Sequence, residues 1–148
     1  MSTRKERLES LNETVSQLFS VCRKITNPEL MVYEGWTVKD VLGHITYWHE
    51  SFARNIADLA NDKKPSPLRG SYRELNQRCF AEFGSLVIDD ILLRFEHAHE
   101  VIQENILSAQ VLLIPYRIGS RDYLPEEHLQ IVIDHIQEHI KDIEVALC

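Results

Sequence analysis

The sequence predicts an all-α protein, an up-down-type four-helix bundle with a short extra helix and a long loop before the last helix. Three observations lead there. Apolar residues recur every three to four positions over four long stretches, the period of a helix with one buried face. The helix breakers fall between these stretches or at their edges: the prolines at 28, 65, 67, 115 and 125, and the glycines at 35, 70, 84 and 119. Strand-like alternation is scarce. At 148 residues the chain suits a single domain, 1–148, whose core needs no disulfide or metal staple.

The first helix is expected over roughly residues 2–25, with Leu8, Leu11, Val15, Leu18, Cys22 and Ile25 facing inward. The second starts at Thr37, a good N-cap. Asp40 stands at the capping-box position, and Trp36 and Val41 are placed for a hydrophobic staple. Its stripe is Val41, Ile45, Trp48, Phe52, Ile56 and Leu59. A short helix is expected near 71–82. A third long helix follows Ser85 as N-cap, with Ile88, Ile91, Phe95, Ala98, Ile102 and Ile106 inward. The last begins at Pro125, a favoured first helical position, and buries Leu129, Val132, Ile133, Ile136, Ile140, Ile143 and Leu147. Four one-sided helices bury their stripes most economically against one another. No period of 20–50 residues repeats, which excludes a solenoid.

Composition narrows the function. The net charge is −7 and no basic cluster exceeds a few residues, so nucleic acid and anionic membranes are poor partners. No segment approaches the ~20 apolar residues of a membrane span. The opening MSTRKERLESLNE has no apolar stretch resembling a signal peptide. Cys22, Cys79 and Cys148 are scattered and odd in number, as expected of free thiols in a reducing cytoplasm.

The chemistry lies in the seven histidines. His135 and His139 are four residues apart on the last helix, within about 40° of each other on the flank of its apolar stripe. Such a pair can turn two imidazole nitrogens toward one divalent ion. His128 shares the flank, but stands about 10 Å further along the axis, where it can line a pocket but not join the same ion. A third ligand must come from another helix. His44, beside the small Gly43, and His49 are both candidates on the second helix, and His99 on the third; periodicity leaves the choice open. His97 points outward.

Two stronger-looking motifs fail. His135 to His139 spells H-x-x-E-H, but Glu138 points about 100° away from His139 and too few residues follow for a downstream ligand. A di-iron bundle needs two Glu-x-x-His motifs, and only Glu96–His99 qualifies.

The stretch GWTVKDVLGHITYWHE (35–50), followed by DHIQEHIKDI (134–143), resembles the DinB-like superfamily of four-helix bundles. In that family a Trp and a Ser or Thr precede a helix whose His lies about eight residues beyond the Trp. Trp36, Thr37 and His44 fill those places, and His135 and His139 match the family's late pair. GHITYWHESFARN (43–55), the Asn76–Gln77 pair and IPYRIGSRDY (114–123) resemble the ClbS/DfsB branch more narrowly.

The resemblance implies a divalent metal held by His44, His135 and His139, zinc or nickel first and iron after them. It further implies a small-molecule electrophile or thiol as partner, with thiol transfer or hydrolysis in stress or detoxification. A homodimer is within the family's habit. The other readings are sequestration of a small molecule without catalysis, and ClbS-like self-protection that needs no metal. Around the centre, Trp48, His49, His99, His128, Arg117, Arg121 and Tyr123 are the candidate pocket residues. The two arginines and Tyr123 sit in the long 109–124 loop, where they either close over an anionic ligand or remain solvated.

Overall fold

The computed structural model describes residues 3–148 and is almost wholly helical. Helix α1 spans Arg4–Cys22, α2 Val38–Ala60, α3 Tyr72–Phe83, α4 Ile88–Asn105 and α5 Pro125–Leu147. Helix α2 packs mainly on α4, and α1 on α5; the short α3 lies against α2. The four long helices close on one core that includes Leu11, Leu18, Ile45, Ile56, Ile91, Phe95, Ile102, Leu129 and Ile136, all essentially without exposure. The expected stripes face this core. Each buried Leu, Ile or Phe contributes about 1.5–3 kcal/mol of apolar transfer, which holds the bundle without a cross-link. Cys22, Cys79 and Cys148 are all free thiols.

The helix starts follow local chemistry. Thr3 caps α1, and Thr37 caps α2 in a reciprocal box with Asp40. The Asp40 carboxylate accepts from the Thr37 N–H at 3.0 Å, so it serves the helix end and not an imidazole. Ser71 caps α3 by accepting from the Glu74 N–H at 3.2 Å. Pro125 opens α5, where Glu127 accepts from the Leu124 N–H at 3.0 Å.

Helix α4 departs from expectation. Its N-cap is Val87, with no side-chain cap, and not Ser85. The Leu86 N–H still bonds back to the Phe83 carbonyl at 3.0 Å, so Ser85 is spent in the turn leaving α3. Asp89 and Asp90 in the first turn supply the favourable charge instead.

Two short hairpins complete the fold, and the sequence reading anticipated neither. Strands β1 (Met31–Tyr33) and β2 (Trp36–Thr37) pair antiparallel across Glu34-Gly35, where Gly35 takes a φ of 79° that favours glycine. Strands β3 (Ile114–Pro115) and β4 (Asp122–Tyr123) pair within the long loop. That loop is anchored, not free: Val111 and Ile114 are buried, the Ile118 N–H donates to the Leu68 carbonyl at 2.8 Å, and Asn55 Nδ2 donates to the Pro115 carbonyl at 3.2 Å.

Candidate metal centre

His44 reaches the centre from the second turn of α2, and His135 and His139 from α5. Gly43 explains how α2 comes so close to α3 there. A Cβ at Gly43 would stand 2.9 Å from Phe83 Cβ, tighter than packed carbons tolerate. Trp36 at the end of β2 presses edge-on against His44, with centroids 5.4 Å apart, and against Phe80 at 4.7 Å.

The three rings converge through the same atom. His44 Nε2 lies 3.1 Å from His135 Nε2, which lies 3.0 Å from His139 Nε2. All three donor atoms fall within 4.8 Å of one another. Three nitrogens about 2.0–2.1 Å from a tetrahedral ion would sit about 3.3 Å apart, close to this spacing.

The hydrogen bonds around the triad favour a cation over a purely hydrogen-bonded cluster. Tyr33, on β1, donates its hydroxyl proton to the Asp142 carboxylate in a short bond. Its oxygen must then accept from His139 Nδ1, 3.0 Å away. His139 therefore carries its proton on Nδ1 and turns a bare Nε2 lone pair inward. His135 Nε2 has at most one proton to share between two neighbours, so the two short contacts cannot both be full hydrogen bonds. A divalent ion satisfies all three lone pairs at once, and the donor set fits zinc, nickel or iron.

Burial also keeps the rings neutral, as metal ligands must be. It drives the His44 imidazole down to about 3, helped by repulsion from His135 and His139 and opposed weakly by the Asn76 side chain. It takes His139 to about 4, with His135 adding to the effect and Asp142 resisting it. His135 is lowered by burial against the pull of Glu138. Burial, then the hydrogen bond to Asp142, raises the Tyr33 hydroxyl, which keeps it a donor.

A cavity of about 30 Å³ adjoins the triad between α2 and α5, enough for one or two waters. His135 belongs to its wall as well as to the triad. Trp48, His49 and His128 line it too, with Ser51, Phe52, Asn55 and Tyr116. Tyr116, from the β3–β4 hairpin, stacks on Trp48 at 5.1 Å and 14° and roofs the space. Phe52 stacks on His128 at 4.3 Å, and His128 Nδ1 is buried without a partner.

Not every expected pocket residue comes to this cavity. His99 stands behind His49, bonded to it at 3.1 Å. Arg117 is held away: its Nη1 donates to the Gly70 carbonyl at 3.0 Å and its guanidinium covers Tyr72 at 4.4 Å. Arg121 is exposed, paired with Glu127 at 3.0 Å and stacked over Tyr123 at 3.9 Å. Tyr123 meets Tyr116 and His128 edge-on, outside the lining. Neither loop arginine lines this cavity; each is held by a nearer carbonyl, carboxylate or ring. The loop residue that does line the cavity is Tyr116. Tyr33 and Asp142, which set the tautomer of His139, were not expected either.

Fold and triad together define a helical bundle with a three-histidine candidate metal centre. No protein-family model matches the sequence. No curated protein matches it. Among solved structures it is similar to the mycothiol-dependent maleylpyruvate isomerase, at 20% identity and a TM-score of 0.77, and to a histidine-to-alanine mutant of that enzyme, at 19% and 0.77. Each match covers 96% of this chain but 61% of the other, so this chain spans less than two thirds of those structures. The likeness establishes the fold alone, a helical bundle. Among the described residues no helix is long and apolar enough to cross a membrane.

Proposed function

We propose that the protein is a divalent-metal-dependent enzyme that brings a thiol or water to a small electrophile, with His44, His135 and His139 as ligands. The observation that carries this reading is the convergence of three Nε2 atoms with His139 locked by Tyr33 and Asp142. Three neutral ligands with one position left open are the pattern of catalytic, not closed structural, sites. A divalent ion held by these three residues would supply the activation of water or a thiol as a nucleophile at neutral pH.

This chain's residues supply the rest. Tyr33 and Asp142 orient one ligand; Trp48, Phe52, Tyr116 and Ile136 form an apolar wall beside the centre that excludes bulk water. The likeness to a thiol-dependent isomerase supports thiol chemistry as the first activity to seek. The ClbS/DfsB branch is the finer assignment, supported by the stretches at 43–55 and 114–123.

Elemental analysis of untagged protein tests the reading. Near one zinc, nickel or iron per chain is expected, lost in His44→Ala and His135→Ala, followed by chelator-sensitive turnover of electrophiles with low-molecular-weight thiols or water. Protein that neither carries nor takes up any of these ions would overturn it. Stoichiometric capture without turnover would replace catalysis with sequestration.

A further inference from the structure

A second histidine pair sits deeper in the bundle, and its hydrogen bonds run from the cavity to the opposite surface. His49 is 2% exposed and lines the cavity that His135 also lines. Its Nε2 lies 3.1 Å from His99 Nδ1. His99 Nε2 in turn faces two amides at once, Asn12 Oδ1 at 2.8 Å and Gln103 Nε2 at 3.0 Å. Asn12 on α1 and Gln103 on α4 are bonded to each other and half-buried at the seam between those helices. Phe95 stacks on His49 at 4.2 Å and 10°, which fixes the ring plane.

One nitrogen that meets an acceptor and a donor together makes the chain reversible in direction. In the first register His99 Nε2–H donates to Asn12. His99 Nδ1 is then bare and accepts from His49 Nε2–H, which leaves His49 Nδ1 a bare base. In the second register His99 Nε2 accepts from Gln103. His99 Nδ1–H then donates to His49 Nε2, and His49 Nδ1 carries a proton. The two registers thus have equal hydrogen-bond counts.

We propose that His49 and His99 form a two-ring proton relay between the cavity beside the triad and solvent at the α1–α4 seam, with Asn12 and Gln103 setting its direction. In the outward stroke His49 Nδ1 takes a proton from a nucleophile in the cavity, and His49 Nε2–H passes its proton to His99 Nδ1. His99 Nε2–H releases its proton to water, and the chain stands in the second register. The return stroke delivers a proton to the product anion or leaving group and restores the first. Each ring is neutral before and after either stroke. Burial holds both rings neutral at neutral pH, which a tautomer relay requires. Asn12, Gln103 and His99 are positioning residues here; they face no reacting atom.

The relay rests on the proposed metal centre only for the use made of the proton, and its test involves neither metal nor substrate. Either idea can therefore fail alone. The whole chain with ¹⁵N-labelled histidine is examined at pH 8 by two-bond proton–nitrogen correlation, which separates protonated from bare ring nitrogens. In the wild type both His49 nitrogens are expected between those limits. Asn12→Asp turns the acceptor facing His99 Nε2 into a carboxylate, a stronger acceptor that outcompetes the Gln103 donor, and is expected to move His49 Nδ1 to the bare position. Asn12→Leu with Gln103→Lys leaves a donor only and is expected to move it to the protonated position; Gln103→Lys alone serves if the double variant does not fold. Shifts in the same direction in both variants, or none, would overturn the relay.

Discussion

Tyr33 Oη lies 3.0 Å from His139 Nδ1 and donates its own proton to Asp142, so a residue on a three-residue strand decides which nitrogen of a helix ligand faces the centre. Outer partners of this kind orient ligands and raise their basicity. Tyr33→Phe removes the acceptor for His139 while keeping the ring. It is expected to weaken metal affinity by roughly 10–100-fold, read by competition with a chromogenic chelator. Unchanged affinity would mean that Tyr33 only packs the hairpin.

Gly43→Ala tests the close approach of α2 and α3. In an exposed helix this change would stabilise by about 1 kcal/mol. Here the new Cβ meets Phe83 Cβ at 2.9 Å, and overpacking of a filled core costs about 1–3 kcal/mol. The clash should win, giving net destabilisation in urea titration. The variant should also bind metal more weakly, because α3 carries Asn76 beside His44.

The helices were legible because one-sided burial leaves a periodic trace, and Leu11, Ile45, Ile91 and Ile136 kept it. Thr37 and Asp40 were legible because a capping box is local. Ser85 misled because cap chemistry does not say which of two turns uses it. The choice among His44, His49 and His99 was closed to the helical wheel, which cannot show that His44 turns toward α5 while His49 turns toward His99. The contact of Tyr33 with Asp142 was not legible, since it depends on a two-residue hairpin turn docking a strand against α5. The Glu34-Gly35 turn between aromatic residues was the one available sign. Arg117 and Arg121 look equally available in any sequence; only the fold shows Gly70 and Glu127 taking them first.

Stability should fall in mild acid. Folded His128 titrates at about 4, held down first by burial, and half-buried His99 at about 4 by burial alone. In the unfolded chain both titrate near 6.5. Below that value the unfolded state binds protons the folded state refuses, so stability is full at pH 7 and is lost as pH falls from about 6.5 to 4. For His128 the loss is on the order of 3 kcal/mol; for His99 it is smaller, because water screens it. His128→Phe keeps the stack on Phe52 and removes both the titration and the orphaned Nδ1. Its urea midpoint should fall less than that of the wild type between pH 6.5 and 4.5. Parallel profiles would show that His128 does not govern acid unfolding.

Chelation offers the sharpest separation of the histidine triad from the deeper pair. An ion that binds only the folded chain adds about 2.7 kcal/mol when free ion stands at 100 times Kd, and for a chain of this size that is about 5–10 °C in Tm. The wild type, loaded with zinc and then treated with a strong chelator, should lose about that much. His44→Ala and His135→Ala should melt at the same temperature with and without chelator, since each removes one of three converging nitrogens. His49→Phe should melt differently from the wild type yet keep the full chelator response, because His49 bonds to His99 and not to the triad. A response abolished in His49→Phe but kept in His44→Ala would move the ion to the deeper pair and reverse the assignment of the two sites. No response in any of the four proteins would leave the triad and the deeper pair as hydrogen-bonded groups of a metal-free bundle.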